Sequence, residues 1–118
     1  MSLLRGDVVI VDGPLARGKA PKARPALVVQ NDRDNRRLLT TVLAMITSVI
    51  HRSFEPTQLL IDISTSDGQQ TGLRQHSVVN CANLLSLEKT LILHTIGSFS
   101  KPLMVQVNSC LKTALDLP

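Results

Sequence analysis

The fold turns on two short runs, Pro25-Ala26-Leu27-Val28-Val29-Gln30 and Thr41-Val42-Leu43-Ala44-Met45-Ile46-Thr47, joined by the polar residues 31–37. Both runs are brief, apolar and rich in β-branched side chains, and turn-forming residues bound them, so they read as strands. Pro25 opens its run, where a ladder donor can be spared. The connection is long enough for one helical turn. Working outward, Asp7-Val8-Val9-Ile10-Val11 reads as a first strand, closed by the turn signal Asp12-Gly13-Pro14. Leu59-Leu60-Ile61-Asp62-Ile63, Ser77-Val78-Val79-Asn80-Cys81 and residues 91–96 read as the fourth to sixth strands, with a polar loop over 64–72. Strands this apolar have little solvent face, which fits a small closed barrel or a sheet partly covered by a second subunit. The period changes at the end of the chain. Ser100 is a suitable N-cap and Pro102 lies in the first turn. Leu103, Val107, Leu111, Ala114 and Leu115 then share one helical face. The expectation is a mainly β domain over 1–118: about six short strands closed by a C-terminal amphipathic helix.

Composition narrows the function. The 118 residues are 43% hydrophobic and 19% charged, the balance of a folded globular chain. No apolar run approaches the roughly 20 residues that cross a bilayer, and the N-terminus lacks the pattern of a secretory signal. A cytoplasmic protein with no membrane partner is expected. Cys81 and Cys110 are the two cysteines, too few for a disulfide scaffold, and they make no metal-ligand spacing with His51, His76 or His94. Two buried, reduced thiols are expected, with no metal and no cofactor.

The net charge of +4 is uneven. Residues 17–37 carry Arg17, Lys19, Lys22, Arg24, Arg33, Arg36 and Arg37 against Asp32 and Asp34, a local +5, while the remainder is close to neutral. An anionic partner met by this segment explains the clustering, and nucleic acid is the commonest one. Aromatic content is 2%, which excludes modules that stack bases on aromatic platforms. Phosphate contacts and hydrogen bonds must then do the binding, with Lys19 and Lys22 as candidates and Arg52 as a further contact.

Several chemistries fail on residue type. Residues 13–20 match the first seven positions of a phosphate-binding loop, but Ala20 lacks the hydroxyl that meets magnesium, and Pro21 and Pro25 forbid the helix that should follow. No G-x-S-x-G occurs, and the nine acidic residues are scattered. Phosphodiester cleavage here would proceed without metal. Arg24 stands where the basic segment meets the second strand, and Thr47-Ser48 ends the third. A planar guanidinium suits a phosphate, and hairpin pairing of these strands would set both at one edge. Of the histidines, His94 lies in a short apolar strand and is expected to be structural. His51 sits in a loop beside Arg52, where it could touch RNA. None of the three is expected to be essential for cleavage, and His76 is the likeliest exception.

At these residues the chain resembles the MazF/PemK toxin endoribonucleases. Arg5-Gly6-Asp7-Val8-Val9 is similar to the family's opening motif. Arg24-Pro25-Ala26-Leu27-Val28-Val29-Gln30-Asn31-Asp32 resembles its Arg-Pro strand, with Asn35-Arg36 at the expected offset. Ala44-Met45-Ile46-Thr47-Ser48 is similar to its hydrophobic-Thr-Ser motif, and Gly72-Leu73, Ser77-Val78, Leu87-Glu88-Lys89 and Ile96-Gly97 follow in order. The resemblance implies an SH3-like barrel, a homodimer, a cognate acidic antitoxin, and sequence-selective cleavage of single-stranded RNA. That cleavage runs by attack of the ribose 2′-hydroxyl, leaving 2′,3′-cyclic phosphate and 5′-hydroxyl ends. It implies Arg24 and Thr47 as catalytic residues, with Ser48 as a substrate contact and Asn83 as an RNA contact. The chain also departs from the pattern. Residues 19–22 replace a polar-acidic pair, and Ala82, Asn83 and Leu85 stand where the family often has an acidic residue, Gln and Arg. The general base is left open. The rival readings are a catalytically silent RNA- or antitoxin-binding homologue and a gyrase-inhibiting toxin, whose C-terminal Trp this chain lacks.

Overall fold

The computed structural model describes residues 2–12 and 23–118. Arg17, Lys19, Lys22 and the rest of the basic loop lie outside the described residues. In chain order the elements are β1 (Asp7–Val11), β2 (Arg24–Val28), α1 (Asp32–Arg37), β3 (Thr40–Thr47), β4 (Gln58–Ile61), α2 (Ser66–Gln70), β5 (Ser77–Glu88), β6 (Ile92–Ser98) and α3 (Lys101–Ala114). The strands form one sheet in the order β4-β5-β3-β2-β1-β6, and every neighbouring pair is antiparallel.

Alternation along the central strands explains why they are apolar throughout. Val8, Leu27, Ala44 and Ile46 face one core, which α3 covers with Leu103, Val107 and Cys110. Val9, Val11, Ala26, Val28, Leu43 and Met45 face a second core, closed by Leu3, Leu87 and Ile92. Successive side chains of a strand point to opposite faces, so a strand buried on both faces reads as a continuous run.

The differences from the sequence reading have local causes. β2 stops at Val28, because the N–H groups of Val29 and Gln30 both turn to the carbonyl of Val42. β4 ends at Ile61, where Asp62 begins a turn. β5 is 12 residues long rather than five. Its pairing with β3 jumps from Asn80 opposite Met45 to Leu84 opposite Ala44. The intervening bulge leaves Ala82 and Asn83 exposed and interrupts the apolar pattern. α2 lies inside the segment expected as a loop. It is five residues long with a glycine at its centre, too short for periodicity to reveal, and Thr65 caps it by accepting the N–H of Gly68 at 2.9 Å. α3 begins at its expected cap, with the hydroxyl of Ser100 accepting from Leu103. Its buried face runs through Cys110, and Leu115, assigned to that face, is 54% exposed beyond the helix end.

The strand order leaves β4 and β6 as edges. The connection from β4 to β5 crosses to β6 by bare backbone. Gly72 sits at φ +76°, where a Cβ would lie 2.1 Å from the carbonyl oxygen of Ile96, and a Cβ on Gly97 would lie 2.5 Å from Thr71. Glycine is required on both sides of this seam.

The motif Arg5-Gly6-Asp7 is a structural joint. The Arg5 guanidinium donates to the carbonyl of Val29 at 2.9 Å and to Asn108 of α3 at 2.7 Å. Gly6 donates to Val28 and accepts from Phe99, both at 2.8 Å. Asp7 accepts the N–H of Leu4 at 3.0 Å.

Candidate active site

Two hydrogen-bonded hairpins meet at one end of the sheet. β2 pairs β3 with Ala26 opposite Met45, and continuing that register by two residues sets Arg24 against Thr47. Across β1 the register places Pro25 opposite Ile10, and Ile10 lies opposite His94 of β6. A row of His94, Ile10, Pro25 and Ile46 therefore crosses four strands and floors a cleft of about 660 Å³. Its walls carry Arg24, Thr47, Ser48, Arg74, Gln75 and Ser77.

Three of the site residues expected from sequence share this cleft: Arg24, Thr47 and Ser48. Arg24 is exposed and Thr47 half-buried. The Thr47 oxygen accepts the N–H of Val49 at 3.1 Å, a bond that occupies a lone pair and leaves the hydroxyl hydrogen to donate. Arg52 and Asn83 are not on the cleft wall. Arg52 is exposed in the turn after β3, where its carbonyl accepts from Glu55 at 3.0 Å, and Asn83 is exposed in the β5 bulge. Lys19 and Lys22 are outside the described residues. Ala82 and Leu85 do not line the cleft either.

Three cleft residues were missed in the sequence. Arg74 and Gln75 follow the Gly72 turn, in a stretch whose only signal is a short polar run. His94 was expected to be structural. It is exposed, on a strand at the sheet edge, and it looks into the cleft beside Ile10 and Ile96. His76 does not line the cleft. Its Nδ1 accepts the N–H of Ile63 at 3.2 Å, which ties it to the corner after β4. Beside it, the Asp62 carboxyl is held below the usual carboxylate range. The Ser64 hydroxyl at 2.6 Å is the main cause, followed by the Ser64 backbone N–H at 2.9 Å, with His76 adding a smaller effect.

Electrostatically the cleft is one-signed. Arg24 and Arg74 contribute two permanent positive charges, and no carboxylate is among its described lining residues. Among the described residues no three His, Cys, Asp or Glu side chains are placed to hold a metal. Cys81 and Cys110 lie in the core between β5 and α3 as free thiols. Burial pushes the Cys81 thiol up to about 12 and raises Cys110 as well, so neither is a reactive nucleophile. No helix among the described residues is long and apolar enough to cross a membrane.

A six-stranded antiparallel sheet packed under a C-terminal helix, with an arginine and a threonine at paired positions at one end of adjacent strands, defines a small β-rich protein with a cationic cleft at one end of its sheet. The chain belongs to the PemK-like, MazF-like toxins of type II toxin-antitoxin systems, whose family model matches residues 4–115. It is 33% identical over 119 aligned positions to endoribonuclease MazF6 of Mycobacterium tuberculosis, covering 99% of this chain and 100% of that relative. It is 30% identical over 118 positions to endoribonuclease EndoA of Bacillus subtilis, covering 99% and 97%. A solved endoribonuclease from a mycobacterial species, in complex with its cognate antitoxin, superposes with a TM-score of 0.77 at 30% identity, covering 98% of this chain and 97% of that one.

Proposed function

We propose that the chain is a sequence-selective endoribonuclease toxin that cleaves single-stranded RNA without a metal ion, acts in the cytoplasm as a homodimer, and is neutralised by an acidic antitoxin. The observation that carries the reading is the cross-strand placement of Arg24 against Thr47 in a cationic cleft. Attack of the 2′-hydroxyl on the neighbouring phosphorus builds negative charge on the non-bridging oxygens. Donors already aimed at that charge lower the barrier most. Arg24 supplies two parallel N–H groups, Thr47 supplies a hydroxyl, and Ser48 contacts the same substrate. The bond from phosphorus to the 5′-oxygen then breaks, leaving a 2′,3′-cyclic phosphate and a 5′-hydroxyl. DNA, which lacks the nucleophile, is left intact.

In this reading Lys19 and Lys22 hold the RNA backbone, and Arg52 and Asn83, which are not among the described lining residues of the cleft, act as peripheral contacts. A surface this basic suits an acidic antitoxin segment that folds on binding and competes with RNA. The relatives support the class, since they are named endoribonucleases and one is solved with its cognate antitoxin.

The test is to incubate the purified chain with a long defined RNA in the presence of EDTA and to map the new 5′ ends. One recurring cut motif, with 5′-hydroxyl ends, is expected. Absence of cutting across diverse RNAs would favour the silent homologue, and cutting that EDTA abolishes would overturn the metal-free mechanism.

A further inference from the structure

RNA cleavage through the 2′-hydroxyl requires a group that takes its proton, and Ala82 stands where the family resemblance would place a carboxylate. We propose that His94 is that base, an assignment that rests on the endoribonuclease reading above.

Position is the first argument. His94 and Arg24 both line the cleft. β6 and β2 flank β1, with His94 opposite Ile10 and Ile10 opposite Pro25, the neighbour of Arg24. Adjacent strands lie about 4.8 Å apart, so the backbones bearing the two side chains are about 10 Å apart. The cleft that both line, about 660 Å³, spans that distance. The floor of Ile10 and Pro25 is apolar, which strengthens the polar contacts made above it.

Chemistry is the second. Among the described lining residues, Arg24 and Arg74 stay protonated, and the hydroxyls of Thr47, Ser48 and Ser77 are very weak bases. No carboxylate is among them. Imidazole is the one side chain among them with a ring nitrogen lone pair that can accept a proton. Among the described residues, the charged groups sharing the cleft with it are Arg24 from β2 and Arg74 from the segment before β5; β1 and β3 contribute none to its lining. His51 and His76 stand outside the cleft.

The step balances without a further reactant. An imidazole nitrogen of His94 takes the 2′-hydroxyl proton as the 2′-oxygen bonds to phosphorus. The bond to the 5′-oxygen breaks, and that oxygen takes a proton from water. The imidazolium then releases its proton to solvent. Arg24 and Thr47 hold the charge on the phosphoryl oxygens throughout.

The experiment uses the full chain and a short RNA spanning a cut site mapped on a long transcript. His94→Ala should slow cleavage by about 10²-fold or more, the usual scale for a positioned base. His94→Gln should be no better. Affinity for the same RNA carrying a 2′-deoxyribose at the cut should be nearly unchanged. Wild-type cleavage should fall as pH is lowered, His94→Ala should lose that acid limb, and added imidazole should restore part of its rate. His76→Ala should cleave normally. The assignment is overturned if His94→Ala cuts at the wild-type rate, or if its whole loss is one of affinity with the acid limb intact. A wild-type chain that cuts no RNA removes the functional reading instead, and the assignment of His94 with it.

Discussion

A guanidinium is useful at a phosphate because its charge is permanent and its fork is planar, and Arg24 offers both from the first position of a strand. Arg24→Ala should therefore cost at least about 10²-fold in cleavage, the scale of one lost donor to developing charge. Arg24→Lys should lose nearly as much, since a lysine keeps the charge and loses the fork. Thr47→Ala should cost about 10-fold or more, because one hydroxyl donor is lost. Arg24 is exposed and Thr47 half-buried at a strand end, so thermal midpoints should barely move. Initial rates on a mapped RNA, beside a melting curve for each variant, check all three. Arg24, Thr47 and Ser48 were legible in the sequence because each sits at a strand boundary within a recognisable motif. His94 was not. In a run such as Ile92-Leu93-His94-Thr95-Ile96, alternation does not say which face meets water, and the answer depends on which strand lies beside it.

Asn35 shows how an element is held in place. It is 3% exposed, in a helix of six residues otherwise made of charged side chains. Its side-chain oxygen accepts from Thr41 at 2.8 Å and Gln30 at 3.0 Å, and its nitrogen donates to the Gln30 carbonyl at 2.9 Å. Lys89, just after β5, donates to its backbone carbonyl. One amide thus joins α1 to the start of β3. Asn35→Ala strands the buried Thr41 hydroxyl, and a loss of about 2 kcal/mol in unfolding free energy is expected. Denaturant titration measures it. The offset of Asn35-Arg36 was visible as part of a motif, while its purpose depended on burial. α2 and the far half of β5 escaped for a related reason. Neither follows a clean period: α2 is a single capped turn, and β5 is broken by its bulge.

At the scale of the molecule, the sheet ends in two unpaired edges, and large apolar side chains stand in solvent. Leu39 is 85% and Phe54 84% exposed, with Val49 and Ile50 beside Phe54 in the same loop. Sheet edges and exposed apolar groups are features that proteins usually cover. A second copy is the expected cover, and sedimentation at micromolar concentration should give a species of twice the 12.9 kDa chain mass. Phe54→Asp should shift that equilibrium toward monomer if the loop belongs to the interface. A chain that sediments at its own mass would rule the homodimer out.

Local pattern determined much of this protein. Short β-branched runs between turn residues specify strands, a serine followed by Pro102 specifies where the last helix begins, and the charge of residues 17–37 together with the near-absence of aromatics is the ground for the anionic partner proposed above. These are properties of neighbours along the chain, and neighbours are what a sequence displays. Tertiary structure decided the rest. Pairing of β6 with β1 carried His94 into the cleft, and the antiparallel pairing of β5 with β3 set Asn83 toward the other end of β3 from it. The turn at Gly72 brought Arg74 beside Arg24, 50 residues away in the chain. Which side chains share a cavity depends on strand order and register, and both are settled by how the two cores pack.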